Sequence, residues 1–231
     1  MIGRAKMRVA VLFTGGKDST YATYLSLKEG LEVKYLLTMA SKNPYSWMFH
    51  SVNINATRYQ AEAIGIKQIL KPTPGERERE LNDLKEAIAG IRGEIDGVVS
   101  GSISSSYQKN RVDLIAKELG LVSLTPLWGS DPIELLHQMI DAGFEAIITN
   151  VAAQGFDQSW LGRKIDASTV DELERLSKRQ GINPSGEGGE YESFVLDAPI
   201  FKKRIEPVGV EKVWCGSNGY LLIKQVKVVE K

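Results

Sequence analysis

The chain has 231 residues, of which 42% are apolar, and its 29 Lys plus Arg balance its 29 Asp plus Glu. The neutral balance gives no general attraction to nucleic acid, and the single cysteine, Cys215, excludes intramolecular disulfides and cysteine-rich metal sites. No apolar run approaches the roughly 20 residues that a membrane-spanning helix needs, and no signal-peptide pattern opens the chain, so we expect a cytoplasmic protein.

Strand and helix patterns alternate through the first half of the chain, where Gly30, Gly65 and Gly120 end three helical stretches. The alternation predicts an α/β fold, in which helices cover both faces of a parallel sheet. We expect the charge run 76–80 to be a solvated helix face. The predicted strands span residues 7–13, 31–39, 66–71, 96–103 and 121–127, and the predicted helices span residues 19–28, 51–64, 76–89 and 104–119.

The pattern changes after Trp128. Asp131 as N-cap and Pro132 as first helical residue predict a helix start, and Ser168 can cap a later helix. The dipeptide Asn218-Gly219 predicts the turn of a C-terminal hairpin. The further predicted elements are a strand over residues 145–151, a helix over residues 168–179, a loop over residues 183–189, and hairpin strands over residues 212–215 and 220–229.

These elements predict two domains, a larger α/β domain over residues 1–128 and a smaller α+β domain over residues 129–231. The two should pack together, because no long linker separates them. The edge of the C-terminal hairpin could pair with another chain, which would make the protein a homo-oligomer.

The junction between the first strand and the first helix is rich in groups that suit phosphate. The N–H groups at a helix start have no intrahelical partners, and the peptide dipoles place positive charge there, so such a junction binds phosphate. It is not a Walker loop, because Leu12 and Asp18 stand where that loop needs glycine and Ser or Thr. A dinucleotide fingerprint is excluded by its missing third glycine. The residues of the junction are Thr14, Gly15, Gly16, Lys17, Asp18 and Ser19.

The junction resembles the pyrophosphate-binding loop of ATP pyrophosphatases such as GMP synthetase and argininosuccinate synthetase, which cleave ATP between the α and β phosphates. The alternative is a glycine-rich turn without a ligand. Three further segments sharpen the resemblance: residues 101–112, residues 126–128, and the acidic, glycine-rich residues 186–195. Together they resemble the diphthine–ammonia ligase family, also described as N-type ATP pyrophosphatases, over essentially the whole chain.

The resemblance implies a reaction on diphthine, a modified histidine of translation elongation factor 2. Members of the family use ATP and ammonium to amidate its carboxylate, through an acyl-adenylate, which gives diphthamide, AMP and pyrophosphate. Lys17 and Ser19 would act as catalytic groups that hold the departing pyrophosphate. Mg²⁺ would bridge phosphate oxygens, with Asp18 as a direct or water-mediated ligand; alternatively, the helix dipole alone stabilises Asp18.

The implied ATP-binding residues come from three parts of the first domain. In the segment after the fourth strand, the alternative is that residues 102–105 only cap a helix. In the connection after the second strand, His50, close to Asn53, could be a surface, helix-start or catalytic residue. The implied set is Thr14, Gly15, Gly16, Lys17, Asp18, Ser19, Thr38, Met39, Gly101, Ser102, Ser104, Ser105, Gln108 and Arg111.

The second domain would bind the substrate through three closely spaced carboxylates, which repel one another and therefore favour cations. They could hold ammonium or face the trimethylammonium group of diphthine, with aromatic help from Tyr191 and Trp128. We expect Glu190 to be catalytic, by orienting or deprotonating ammonia; the alternative is an acidic surface turn. The implied substrate residues are Trp128, Glu187, Gly188, Gly189, Glu190, Tyr191 and Glu192.

Two other functions fit the loop. One is a pyrophosphatase-loop enzyme that acts on tRNA or a small metabolite, although the single cysteine disfavours tRNA thiolation. The other is an adenine-nucleotide sensor that does not turn ATP over.

Overall fold

Strands and helices alternate through the first half of the chain, and antiparallel strands dominate the second. The computed structural model describes residues 6–43 and 52–231, apart from the side chains of Arg77 and Glu78. The first elements are β1 Arg8–Leu12, α1 Lys17–Lys28, β2 Glu32–Ser41, α2 Thr57–Ile64, β3 Gln68–Thr73, α3 Arg77–Ala89, β4 Gly97–Val99, α4 Ser106–Leu119 and β5 Val122–Leu124. The others are α5 Pro132–Asp141, β6 Glu145–Val151, α6 Ala167–Gln180, β7 Tyr191–Asp197, β8 Lys203–Cys215 and β9 Asn218–Glu230.

The first five strands form one parallel sheet in the order β3-β2-β1-β4-β5. From β1 the chain adds β2 and β3 on one side of the sheet, and then β4 and β5 on the other side, so the strand order switches between β1 and β4. A crevice opens at such a switch point, beyond the carboxyl ends of the strands. The loops after β1 and after β4 both leave the sheet there. The α/β fold class is therefore confirmed, and it brings two loops singled out by the sequence to one place.

Helices bury both faces of the parallel sheet. Val9 and Val11 of β1 belong to a core that continues into the second half, whereas Ala10 packs on the opposite face. The predicted alternation in β2 places Val33 and Tyr35 on one face, but they belong to opposite cores. The cause is a β-bulge, because Val9 pairs with Val33 while Ala10 pairs with Tyr35, so one residue of β2 is left out of the register.

The other four strands form an antiparallel sheet in the order β7-β6-β9-β8. The hairpin of this sheet is longer than predicted. Its turn residues are Gly216 and Ser217, because Asn218 already belongs to β9 and pairs with Cys215 of β8. Glycine at the first turn position suits a two-residue hairpin. β8 lies at the sheet edge, and pairing of this edge in a homo-oligomer stays a prediction.

The second half also tests two predicted helix caps. Asp131 caps α5 as predicted, since its Oδ1 accepts two backbone N–H groups at 3.0 and 2.9 Å. The cap of α6 is Asp166 rather than Ser168, because Asp166 Oδ1 accepts the N–H of Thr169 at 2.9 Å. Ser168 lies inside the helix and donates its hydroxyl to the same oxygen at 2.8 Å.

Several predicted bounds in the first half were wrong. β4 ends at Val99 and β5 at Leu124, well before the predicted ends. β3 continues through Pro72, which an edge strand tolerates because it has one side without a partner strand. The charge run at the start of α3 is not wholly solvated, since Glu80 is only 1% exposed.

The connection after β2 is described only in part. His50 and Ser51, the first residue of a predicted helix, lie outside the described residues. The helix α2 begins at Thr57, after a 3-10 turn at Ile54–Ala56. Among all helices in the described ranges, none combines the length and apolar character that crossing a membrane requires.

Arg8 and Asp96 tie the start of β1 to the residue before β4. The side chain of Arg8 donates to both carboxylate oxygens of Asp96 at 2.7 and 3.1 Å, and its backbone N–H donates at 2.8 Å. These bonds lower the pKa of Asp96 to about 2. Because the folded pKa lies below the unfolded one, the stabilisation is complete above the unfolded pKa and is lost as pH falls through the folded value.

We therefore expect Asp96→Asn to lower the free energy of unfolding at neutral pH. The difference from wild type should shrink as pH falls from about 4 to about 2. Urea unfolding at a series of pH values measures it, with the exposed Asp141 changed to Asn as the control. A difference that stays constant over this range would contradict the assignment.

Candidate active site

The loop after β1 turns sharply into α1, which begins at Lys17 with Gly16 as its N-cap. Gly15 has a φ of 76°, a left-handed conformation that favours glycine. A Cβ on Gly15 would also lie only 2.1 Å from Gln60 Oε1. Both observations explain why this position is glycine.

A fully buried glutamine on α2 holds the loop against β7. Gln60 Nε2 donates to the carbonyl oxygens of Gly15 and Val195, each at 2.8 Å, and the Val195 N–H donates to Gly15 O at 3.0 Å. Gln60 is 0% exposed. The loop is therefore fixed from both halves of the protein.

Inside the loop, two hydroxyls close a small polar network. Ser19 Oγ accepts the N–H of Thr14 at 3.1 Å, lies 3.1 Å from Thr14 Oγ1, and donates to Gly16 O at 3.2 Å. The Gly16 N–H reaches Thr14 Oγ1 at a long 3.4 Å. Both hydroxyls therefore point into the turn, and their role toward phosphate stays a prediction.

Lys17 is the central cation of the site, and it is only 3% exposed. Its Nζ donates to both oxygens of Asp18 at 2.9 and 2.8 Å and to Ser185 O at 2.5 Å. It also lies 5.4 Å from the ring centroid of Tyr191. The Asp18 side chain is 29% exposed, so this pair opens to solvent on the Asp18 side.

Tyr191, whose ring lies against the Lys17 ammonium, begins β7, and Glu190 directly precedes it. Burial, and then the charges of Asp18 and Glu190, raise the pKa of Tyr191 well above its usual value. Its hydroxyl therefore stays protonated and donates to Pro184 O at 2.9 Å. Glu190 Oε1 accepts the N–H of Asn183 at 2.8 Å, while Oε2 is buried without a hydrogen-bond partner in the described part of the chain.

Ser193 belongs to this site although the sequence assigned it no role. Its Oγ accepts the N–H of Lys17 at 3.1 Å, at the start of α1. The signal was weak, because Ser193 lies in the acidic, glycine-rich segment but 176 positions from its partner. Gln60 was missed for the same reason, since only the fold brings α2 to the loop.

The loop after β4 packs directly on the loop after β1. A Cβ on Gly101 would lie 2.9 Å from the backbone carbonyl carbon of Asp18 and from the backbone nitrogen of Ser19. Backbone atoms cannot rotate away as a side chain can. Gly101 is therefore required for the loop after β4 to approach the first turn of α1 this closely.

We expect Gly101→Ala to lower the free energy of unfolding by about 1–3 kcal/mol, the usual cost of forcing extra volume into a packed site. Gly93→Ala is the control, because no atom lies within 4 Å of its added Cβ. Urea denaturation of both variants measures the effect. Equal stability of the two would show that the loops can separate without cost.

The next residues of this loop bind Glu187 from the acidic segment. Its carboxylate accepts the N–H groups of Ile103 and Ser104, each at 2.6 Å, the N–H of Ser105 at 3.1 Å and the Ser104 hydroxyl at 2.5 Å. Ser105 is the N-cap of α4 and accepts the N–H of Gln108 at 3.4 Å. The donors that the sequence assigned to nucleotide are thus occupied by Glu187, and their nucleotide role stays a prediction.

Other predicted ATP-binding residues lie in or near this crevice but have partners of their own. Ser102 Oγ donates to Gln108 Oε1 at 3.4 Å. Arg111 stacks on Tyr107 and donates to its carbonyl oxygen at 3.1 Å. Thr38, which is fully buried, donates to the Phe13 carbonyl oxygen at 2.8 Å, so its hydroxyl fixes the end of β1.

The remaining predicted residues are less directly connected to Lys17. Met39 is buried in the sheet core. Trp128 is 40% exposed, and the ammonium of Lys109 lies 5.4 Å from its ring centroid, so one cation is already present there. Glu192 pairs with Asn150 in the second sheet. Asn53 bonds β9 through both of its side-chain polar atoms, each at 2.8 Å, which is a structural role.

The parallel sheet with helices on both faces and the glycine-containing loop at its switch point define a doubly wound α/β protein. Two family models match the chain, the diphthamide synthase N-terminal domain over residues 7–123 and the diphthamide synthase C-terminal domain over residues 131–229. The chain therefore belongs to the diphthamide synthase family, and the resemblance noted in the sequence is confirmed.

Curated relatives agree with this membership. The diphthine–ammonia ligase of Rattus norvegicus is 37% identical over 220 residues, which cover 86% of this chain and 82% of the relative. The ligases of Mus musculus and Bos taurus are 35% and 33% identical and cover 97% of this chain; the matches span 94% and 91% of those relatives. The similarity therefore includes both halves of the protein.

Proposed function

We propose that this protein is a diphthine–ammonia ligase, which amidates the carboxylate of diphthine in the biosynthesis of diphthamide. The observation that carries the proposal is the match of both diphthamide synthase domains across nearly the whole chain. In this assignment residues 1–128 bind ATP, residues 129–231 bind the acceptor, and the protein substrate is translation elongation factor 2. ATP is a second substrate, and ammonium is the nitrogen source.

A carboxylate needs activation because oxide is a very poor leaving group. Transfer of the adenylyl group of ATP to the diphthine carboxylate gives an acyl-adenylate and releases pyrophosphate, and attack by ammonia then releases AMP. The protein must stabilise the charge that grows on pyrophosphate. The buried ammonium of Lys17, the start of α1 and the hydroxyls of Thr14 and Ser19 have the donors for this role.

Magnesium would supply charge neutralisation on the phosphate oxygens. Oxygen ligands suit it, and Asp18 is the carboxylate of the loop that is partly open to solvent. Both of its oxygens also contact Lys17 Nζ. A metal ion bound to Asp18 and the ammonium of Lys17 would therefore contact the same phosphate group. That arrangement fits an oxygen-bound cation beside the loop.

Glu190 is the residue that we assign to ammonia. Its Oε2 is a buried acceptor whose hydrogen-bonding capacity the described residues do not use. An ammonium ion would supply the missing donor, and the carboxylate would favour its charge and accept a proton as nitrogen attacks. The charges of Glu190 and Asp18 both act on Tyr191, whose ring centroid lies 5.4 Å from Lys17 Nζ, and this supports a role for Glu190 beside the phosphate loop.

The test is direct. Elongation factor 2 that carries diphthine is incubated with the protein, ATP, Mg²⁺ and ammonium, and the modified histidine peptide is analysed by mass spectrometry. We expect conversion of acid to amide, with AMP and pyrophosphate formed only when both the factor and ammonium are present. ADP as product would contradict the role of the loop, ATP binding without turnover would favour a sensor, and AMP formation with tRNA alone would favour the pyrophosphatase alternative.

A further inference from the structure

The acidic segment makes one strong contact with the nucleotide half that neither the family resemblance nor the proposed reaction explains. Glu187 accepts three successive backbone N–H groups, of Ile103, Ser104 and Ser105, and one hydroxyl. These groups lie at the start of α4, where the helix dipole adds positive charge. A carboxylate bonded in this way by charge-assisted hydrogen bonds is held firmly.

The residues around Glu187 need such an anchor. Gly186, Gly188 and Gly189 flank it, and Gly186 and Gly189 have φ values of 75° and 86°. Glycine loses more conformational freedom on ordering than any other residue, and two local turn bonds, from the Gly186 N–H to Asn183 O at 2.9 Å and from the Gly189 N–H to Gly186 O at 3.0 Å, offset only part of that loss. The four bonds to Glu187 fix its middle against the loop after β4.

The segment carries two functional groups on either side of the anchor. Before it, the Ser185 carbonyl accepts the ammonium of Lys17 at 2.5 Å. After it, Glu190 carries an inaccessible carboxylate oxygen, Oε2, that has no hydrogen-bond partner among the described residues. Ser185 is also held by Asn183 Oδ1, which accepts its N–H at 2.9 Å and its hydroxyl at 2.8 Å, so its contact with Lys17 does not need the anchor. Glu190 follows Glu187 after two glycines, so its position depends on the anchor.

We propose that Glu187 is a positioning residue that locks the 185–190 segment over the phosphate loop, so that Glu190 meets the activated acid. The proposal rests on the proposed function, and it replaces the expectation that Glu187 contacts substrate. The phosphate loop does not depend on this anchor, because Gln60 and Ser193 hold it independently. Loss of Glu187 therefore affects ammonia transfer and leaves ATP binding intact.

The experiment compares Glu187→Gln, Glu187→Asp and wild type by amidation kinetics and by hydrogen exchange of the full-length protein. In Glu187→Gln, a side-chain NH₂ would face backbone N–H groups, and the negative charge is lost. We expect kcat to fall about tenfold or more, KM for ammonium to rise, and KM for ATP to stay unchanged. Exchange should accelerate in peptides that cover residues 101–106 and 183–191, and Glu187→Asp should recover part of both losses.

Glu174→Gln on α6, whose carboxylate pairs with Lys178 on the exposed surface, is the matched control and should behave as wild type. A lower KM for ATP in Glu187→Gln would overturn the proposal, since Glu187 would then compete with phosphate for the start of α4. Unchanged exchange in both peptides would also overturn it, whether kinetics change or not. If wild type itself forms no amide, the proposed function fails, while the exchange result still decides whether Glu187 anchors the segment.

Discussion

Lys17→Met should lower kcat/KM for amidation about a thousandfold, the upper range for removal of one donor that stabilises charge in a transition state. The ammonium of Lys17 is nearly inaccessible to water and lies at the positive end of α1. Its interaction with departing pyrophosphate is therefore poorly screened, and water cannot take its place. Methionine keeps most of the side-chain length and apolar volume but removes the charge and all three donors.

The measurement follows AMP formation and the mass of the modified histidine peptide, with thermal unfolding to compare stability. Lys28→Met is the matched control, because Lys28 ends the same helix and its ammonium lies over the ring of Tyr24, away from the phosphate loop. We expect wild-type rates from that control. A Lys17→Met protein that is folded and retains more than about a tenth of the wild-type kcat/KM would exclude the lysine from pyrophosphate stabilisation, since such a loss corresponds to only about 1.4 kcal/mol.

The sequence predicted the part of the site that is local in the chain. Thr14 to Ser19 follow a strand and open a helix, and both features appear in consecutive residues, so periodicity and the capping rules suffice. The parallel sheet follows from the same alternation, and its switch point explains why the loop near Gly101 meets the first loop. Their contact at Asp18 and Ser19 is the geometric result.

The contacts that the sequence did not predict join residues far apart in the chain. Ser193 bonds Lys17 across 176 positions, Gln60 bonds Val195 across 135, and Glu187 bonds Ile103 across 84. No local pattern reports such a partner, since each side chain is an ordinary polar residue in its own segment. The same limit explains Glu187: three nearby carboxylates indicated a cation site, but one of them already accepts hydrogen bonds from backbone N–H groups at the start of α4.

The long-range contacts also change how the two halves should be regarded. Segment 185–193 belongs to the second half, yet Ser193 contacts the start of α1 and Glu187 contacts the start of α4. Two helix starts at the switch point, each suited to anions, are thus both bonded by one segment. The same segment carries Glu190, the residue that we assign to ammonia.

The second large effect concerns that ammonia step. We expect Glu190→Gln to lower kcat about a hundredfold and to raise KM for ammonium, in the range expected for loss of a general base. The change is isosteric, and a glutamine oxygen can still accept the Asn183 N–H that Oε1 accepts now. The loss therefore reports the charge of the buried carboxylate rather than the shape of the loop. KM for ATP should not change, because the phosphate loop keeps all of its contacts.

Rates measured over a range of ammonium concentrations, with either the amide or AMP as readout, separate the fall in kcat from the rise in KM for ammonium. Glu134→Gln at the exposed start of α5, where the Glu134 side chain accepts a hydrogen bond from Gln138 at 3.3 Å, is a control for the same chemical change. If Glu190 only shapes the loop, the variant should keep its KM for ammonium and lose stability instead. If it handles ammonia, high ammonium should restore binding but not the proton transfer, so kcat stays low at saturation. A variant that amidates diphthine at the wild-type rate would show that Glu190 has no role in ammonia transfer.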